Sequence, residues 1–427
     1  MPENNNSPIN VVMFILYVAL LASLIFSFRA ITSISLAALA LMGPVKNKIE
    51  QKKLFNPNLI NPLFLFCCLM FTLGIVAMLY TSNTIEGWKD VRGKSLLVVV
   101  PFVLCCTDYV TTITRQKILQ WYCLILCAAC IFAIYVAIKT YSAQHDPSVF
   151  FYHSLVSIYS GHAIQFSILV FIALVYLFES LQRKNILLGR GFHFVLIIFF
   201  SLFLVFLSSK LVIVIYIAYF LYHVVKILQV KPNNRALIML LSASFIFFCV
   251  LLFATNNKVS RRFNEIMKTD FNFLDAQKFS PGQYFNGLQF RLLQWKFAPE
   301  ILNEKKAWIQ GVSPGDAQAY LDQKYATENM YTGTPERGDK GFRGYNTHNE
   351  FLEALLQTGI IGLLLFLLIC LAMVQMAWKR KMVELSFVTI LLLAYSFSES
   401  VLESQYSCFM FLFFPLFFYL EKNNVPA

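Results

Sequence analysis

The sequence predicts an all-α integral membrane protein, a polytopic bundle of about 12 transmembrane helices with one large loop on the outer side. Three observations predict it. Hydrophobic residues make up 58% of the 427-residue chain and charged residues only 14%, where a soluble surface carries roughly 25% charged residues. The apolar residues fall in long blocks, and a block of about 20 spans the hydrocarbon layer as a helix. Lysine and arginine then alternate in number from one short loop to the next, as expected when the basic loops stay in the cytoplasm. Mean hydropathy is +0.62. Lipid offers the backbone no hydrogen-bond partner, so the apolar blocks must be helices.

The blocks lie at 11–28, 30–44, 60–80, 95–107, 118–138, 163–180, 192–208, 210–229, 236–254, 359–377, 384–398 and 404–420. Those at 30–44 and 95–107 are short, which brackets the count at about ten to twelve. With the amino terminus inside, the inner loops hold Lys46, Lys48, Lys52 and Lys53; Arg115 and Lys117; Arg183, Lys184 and Arg190; Lys226, Lys231 and Arg235; and Lys379, Arg380 and Lys381. The short outer loops hold Arg29, Lys89, Arg92, Lys94, Lys139 and Lys210. The net charge of +12 is thus explained by topology, and no basic-aromatic surface module points to nucleic acid. No positively charged leader with a small-residue cleavage site is evident, so the first helix is expected to stay as an anchor. All ten cysteines lie in apolar segments, so no disulfide framework is expected in the loop. Cys127 and Cys130 sit in a spanning block, where free cysteine behaves as a small hydrophobe.

Three segments follow: a transmembrane bundle at 1–254, a hydrophilic loop at 255–349 and further transmembrane helices at 350–427. The same charge count places the loop outside. Its residues 287–304 predict a helix with Leu288, Leu292, Trp295, Phe297 and Ile301 on one face. Thr327–Gly344 is rich in glycine, threonine and charge and reads as a flexible loop. Structureless loops of this length are uncommon unless functional.

The strongest local signal ends this loop: Tyr345-Asn346-Thr347-His348-Asn349-Glu350, followed by Gly359 and Gly362. An imidazole at the membrane boundary can take or give a proton near neutral pH. Asn349 can bond a substrate hydroxyl or cap the next helix. Gly359 and Gly362, three apart on one face, suit close helix packing. An interfacial histidine followed by a packing pair is the structural alternative.

This H-N-x9-G-x-x-G pattern behind a large outer loop resembles the O-antigen ligase family, with its O-antigen polymerases and protein O-oligosaccharyltransferases. The resemblance covers the layout of most of the chain and, in specific residues, 287–313, 345–362 and more weakly 206–212 and 397–406. It implies a bacterial inner-membrane enzyme with a periplasmic site. Such an enzyme moves a preassembled glycan from an undecaprenyl-diphosphate donor to an acceptor hydroxyl, inverting the anomeric centre without a metal or other cofactor. The family's loop-helix arginine, which binds the donor diphosphate, corresponds to Arg291 in Phe290-Arg291-Leu292-Leu293-Gln294-Trp295, with Ile309-Gln310-Gly311 further on. A guanidinium suits that task because its planar fork matches phosphate oxygens. Where the family places Ser-Arg on a tight outer turn, this chain has Ser208-Ser209-Lys210; lysine can neutralise phosphate but lacks the fork, and a snorkelling boundary lysine is the competing reading. His348 is the expected general base, with Arg291 and Lys210 as the diphosphate contacts.

Glu399 and Glu403 lie four apart near the chain's end, a spacing that shares a helix face; an ordinary polar turn is the structural reading, and a supporting role for one of them, orienting His348 or binding the acceptor, is the functional one. His145, His153 and His162 match no metal spacing and read as loop residues, with His162 a candidate for substrate contact. The acceptor stays open between lipid A–core oligosaccharide, a second lipid-linked repeat and a protein hydroxyl, in that order of preference. A transporter or flippase of lipid-linked sugars is the competing class, and would show repeats and broken helices with midplane charges; a non-enzymatic scaffold is a further alternative. Reporter fusions at Lys52 and Lys324 should report opposite sides of the membrane; the same side for both would break the topology.

Overall fold

In the computed structural model, residues 7–51, 54, 61–107, 109–159, 162–182, 189–230, 271–334 and 338–420 are described. They form helices and connecting turns, with no strand among them. In chain order the α-helices are α1 (Pro8–Ile25), α2 (Arg29–Gln51), α3 (Pro62–Ala77), α4 (Thr84–Gly93), α5 (Leu96–Cys105), α6 (Thr112–Gln144), the single turn α7 (Tyr152–Leu155), α8 (Ala163–Gln182), α9 (Arg190–Leu207), α10 (Lys210–Val230), α11 (Gly287–Lys305), α12 (Ala317–Thr327), α13 (Glu350–Arg380), α14 (Val383–Ser396) and α15 (Gln405–Tyr419). Among the described residues, seven helices are long and apolar enough to cross a membrane, and α14 and α15 are shorter apolar helices. The block expected at 236–254 lies outside the described residues.

The chain divides into two compact units, one of Met1–Ala38 with Thr112–Lys268, the other of Leu39–Thr111 with Thr269–Ala427. The described part of the hydrophilic loop, from residue 271 on, therefore shares a unit with α3–α5 as well as with α13–α15. In the first unit α1 packs on α6, and α8 packs on α9 and α10. Arg115 of α6 and Glu179 of α8 form a buried ion pair at 2.6 Å. In the second unit α13 lies along α3, α15 along α5, and α14 touches both α13 and α15.

The loop helices are built onto this second unit. Asn286 starts α11 with a capping box, its side chain accepting from the Gln289 amide while the Gln289 side chain accepts from its own. The face that α11 buries is Phe290, Leu293, Phe297, Ile301 and Leu302, packed with Leu321 and Tyr325 of α12 and Leu355 and Leu356 of α13. This is a rotation from the expected face: Leu288, Leu292 and Trp295 are only half-buried. The spacing from Phe290 keeps the helical period just as well, and it turns Arg291 and Trp295 toward the polar start of α13. Each aromatic buried here contributes about 1.5–3 kcal/mol.

Helix α13 begins at Glu350, not at 359, and is broken where the glycines stand. Thr358 (φ −129°) and Gly359 (φ 69°) leave the helical region. The backbone groups freed by the break are taken by the loop: Ile360 N donates to Trp308 O at 2.9 Å, Val312 N to Leu356 O at 2.8 Å and Ser313 N to Gln357 O at 3.0 Å. A side chain at Gly359 would fall 2.1 Å from Ile309 O, and one at Gly362 would fall 1.8 Å from Thr358 Oγ1. The two glycines thus serve a break docked on loop backbone and room for Thr358, rather than the single packing face expected. Asp316 extends the dock, accepting from Ser82 N at 2.8 Å and Asn83 N at 3.0 Å. Gly359→Ala should therefore destabilise the protein by at least about 1–3 kcal/mol from backbone strain alone. Gly74→Ala, in α3 with nothing within 4 Å of the added carbon, should melt like wild type in the same detergent; equal melting of both variants would refute the docked break.

Candidate functional site

Residues 345–349 carry the chain from the loop into α13, and the second unit pins this run from three helices. Tyr345 O accepts from the Tyr325 hydroxyl at 2.8 Å and from Gln318 Nε2 at 3.2 Å. Asn346 O accepts from Gln294 Nε2, and Thr347 O from Trp295 Nε1 at 3.1 Å. Thr347 N donates to Glu353 Oε2 at 3.0 Å, and His348 N to Asn346 Oδ1 at 3.1 Å. Held on either side, His348 adopts a left-handed φ of 46°, a conformation that costs a non-glycine residue about 1–2 kcal/mol. Asn349 then caps α13: its Oδ1 accepts from Phe351 N at 3.0 Å and Leu352 N at 3.3 Å. Of the two roles open to Asn349, the structure shows the cap.

The His348 ring meets a carboxylate. Its Nδ1 lies 2.8 Å from Glu399 Oε2, and the other oxygen, Oε1, accepts from Arg291 Nη2 at 2.9 Å. Arg291 Nε donates to Ser398 O at 3.1 Å and Nη1 to Gly287 O at 3.2 Å. One carboxylate thus joins the guanidinium of α11 to the imidazole before α13. An ionised carboxylate only accepts, so Nδ1 must carry the proton and the lone pair is left on Nε2. These bonds engage three of the five guanidinium N–H groups, which leaves one on each Nη for another anion. The side chains of Arg291, His348 and Glu399 are 26%, 21% and 15% exposed, so the cluster is partly shielded from water and still open at the surface.

Glu403 does not share this cluster. Residues 397–404 turn between α14 and α15 without forming a helix, so the expected common face of Glu399 and Glu403 is absent. Glu403 pairs instead with Lys94, at 2.8 Å, and Lys94 pairs with Asp90 at 2.9 Å. Burial, then the charge of Glu403, raise the Asp90 carboxyl to about 8 against the opposing pull of Lys94. Burial alone would raise Glu403 too, but Lys94 outweighs it and holds that carboxyl below its usual range. Burial works against the Lys94 charge, and Asp90 and Glu403 more than offset it, so the ammonium is raised. Glu350 adds a tie, its Oε2 accepting from Leu402 N at 2.8 Å.

Sequence reasoning found His348, Arg291 and Glu399 and the structure brings them together. It passed over Thr347, Glu353, Gln357, Asp90 and Lys94 as members of one assembly. The signal available was Glu350, Glu353 and Gln357 at three- and four-residue steps, a polar stripe on a helix otherwise apolar. Lys210 and His162 belong to the other unit. Lys210 opens α10 two residues after Ser208, whose left-handed φ of 50° ends α9 at the turn. His162 stacks edge-on with His153, centroids 4.3 Å apart, and His153 Nδ1 accepts from Ala163 N at 3.1 Å. Among the described residues no group of three His, Cys, Asp or Glu side chains is placed to hold a metal.

Residues 194–367 match the family model described as O-antigen ligase. The matched span includes Lys210, Arg291, His348, Gly359 and Gly362, and ends before Glu399 and Glu403. No curated protein matches the chain.

Proposed function

We propose that this chain, a member of the O-antigen ligase family, is a membrane glycosyltransferase that moves a preassembled glycan from a lipid-diphosphate donor to an acceptor hydroxyl. The observation that carries the reading is the Glu399 carboxylate held between Arg291 Nη2 and His348 Nδ1. It sets a basic imidazole nitrogen beside a cationic fork that keeps two donors in hand. The reading rests on residues of one unit alone.

The reaction needs an acceptor stripped of its proton and a diphosphate able to leave. His348 Nε2 takes the proton of the acceptor hydroxyl as its oxygen attacks the anomeric carbon. The bond from that carbon to the phosphate oxygen breaks, and the diphosphate departs with the electron pair. Attack opposite the leaving group inverts the anomeric centre. The remaining N–H groups of Arg291 meet the charge that develops on the phosphate, and Glu399 meets the imidazolium that forms. A placed base contributes typically about 10²–10⁴-fold, and a placed donor to a developing oxyanion about 10²–10³-fold. Diphosphate is already a good leaving group, so the step can run without a metal.

The donor we propose is an undecaprenyl-diphosphate glycan, with its lipid in the bacterial inner membrane and its sugar on the periplasmic side. The acceptor we place first is lipid A–core oligosaccharide, which makes the protein an O-antigen ligase. A second lipid-linked repeat, for a polymerase, stands second, and a protein serine or threonine hydroxyl third; all three share the donor half of the reaction.

The test is reconstitution in vesicles with a lipid-linked glycan and each acceptor in turn, reading product by mass. The acceptor that gains the glycan identifies the activity. His348→Ala should lose at least about 10²-fold in transfer with normal membrane insertion. Arg291→Ala should be comparably impaired and Arg291→Lys partly active, since lysine keeps the charge and loses the fork. Transfer undiminished in His348→Ala would remove the base, and movement of donor across the bilayer without transfer would favour the flippase alternative.

A further inference from the structure

The proposed reaction uses Arg291, Glu399 and His348, and leaves unexplained a buried polar assembly in the same unit. Lys94, between α4 and α5, has a side chain only 9% exposed. Its ammonium donates to Gln357 Oε1 of α13 as well as to Asp90 and Glu403. The Gln357 amide nitrogen donates in turn to Glu403 Oε1 at 2.9 Å and Glu353 Oε1 at 2.9 Å. Glu353 Oε2 accepts twice from one residue, from Thr347 N at 3.0 Å and Thr347 Oγ1 at 2.7 Å. Thr347 is fully buried and directly precedes His348.

This assembly has a direction. Lys94 can only donate, so the Gln357 carbonyl must face it and the Gln357 amide must face the two glutamates. Glu353 Oε2 accepts from the Thr347 N–H and hydroxyl, and Asn349 O, 3.0 Å from that hydroxyl, is its second acceptor. With its N–H committed to α13 and its carbonyl to Trp295, the Thr347 peptide has one orientation. The chain then has to pass through the left-handed φ of His348 to reach the Asn349 cap. A fully satisfied buried network of this kind is rigid, and small misplacements of a reacting group are expensive in rate.

We propose that Gln357, Glu353 and Thr347, anchored on Lys94, are positioning residues that fix the backbone beneath His348 and so set the direction in which its Nε2 points. The proposal rests on the reading of His348 as the base, but the ring's placement can be tested apart from the reaction. The experiment uses the full chain in detergent with three variants: Thr347→Val, which keeps the shape and removes the hydroxyl; Thr347→Ser, which restores it; and Gln357→Met, which cuts the line far from the imidazole while Lys94 keeps its two carboxylates. Two quantities are read beside the melting temperature. One is the rate at which diethyl pyrocarbonate acylates His348, followed by mass spectrometry of its peptide. The other is kcat and donor KM in glycan transfer.

The expected result is a several-fold change in His348 acylation for Thr347→Val and Gln357→Met, with kcat lower by about 10- to 100-fold and donor KM little changed. Thr347→Ser should return both to near the wild-type rate. Acylation rates equal to wild type in Thr347→Val and Gln357→Met, with only a lower melting temperature, would overturn the proposal and leave the network a structural one. Altered acylation in a chain that transfers no glycan even as wild type would support the positioning and sink the glycosyltransferase reading instead.

Discussion

A carboxylate withdrawn from water must find donors, and Glu399 finds two of different kinds. The guanidinium of Arg291 holds one oxygen and the imidazole of His348 holds the other. Hydrogen bonds to charged groups contribute about 1.5–3 kcal/mol each, enough to select one tautomer and one rotamer of the ring. Without that carboxylate the guanidinium and the imidazole have no common partner, and nothing selects the tautomer that leaves Nε2 bare. The chemistry assigned to this site follows from that single bridge, and the rest of the second unit can be understood as what places its three members.

The placement comes from distant stretches of chain. Arg291 is delivered by a loop helix whose capped start and buried Phe290–Leu302 stripe lock its rotation. Glu399 sits in a non-helical turn that Glu350 ties to the start of α13 through Leu402 N. His348 is presented by a run pinned from α11, α12 and α13. The loop itself is docked on α13 by a broken helix, where Gly359 permits both the positive φ and the approach of Ile309 O. A helix break inside an otherwise apolar segment is tolerated because loop backbone satisfies the freed groups. Loop and α13 are therefore parts of one device, and the described part of the large loop lies in one unit with α13–α15 and α3–α5.

Much of this was legible in the sequence, and the misses have physical causes. Long apolar blocks report helices directly, and the described blocks appear as helices near their expected positions. Their ends shift because an apolar window cannot see polar residues that fold into a helix with buried partners: Glu350, Glu353 and Gln357 lengthen α13 toward the loop for that reason. His348 and Arg291 stood out by residue type and spacing. Gly359 stood out as well, but sequence could not tell a packing glycine from one that breaks a helix. Glu399 and Glu403 share a spacing that suggests one face, yet the turn at 397–404 sends them to separate partners. Lys94 was counted among the boundary charges, because its partner residues at 357 and 403 lie far along the chain and no local pattern marks them.

The most direct measurement is the nitrogen-15 spectrum of histidine-labelled protein in bilayers, with His348 assigned by its loss in His348→Gln. A ring bridged by Glu399 should show a protonated, hydrogen-bonded Nδ1 and a bare Nε2, and Glu399→Gln should abolish that preference. A wild-type ring protonated at Nε2 with a bare Nδ1, unchanged by Glu399→Gln, would contradict the bridge and the chemistry built on it.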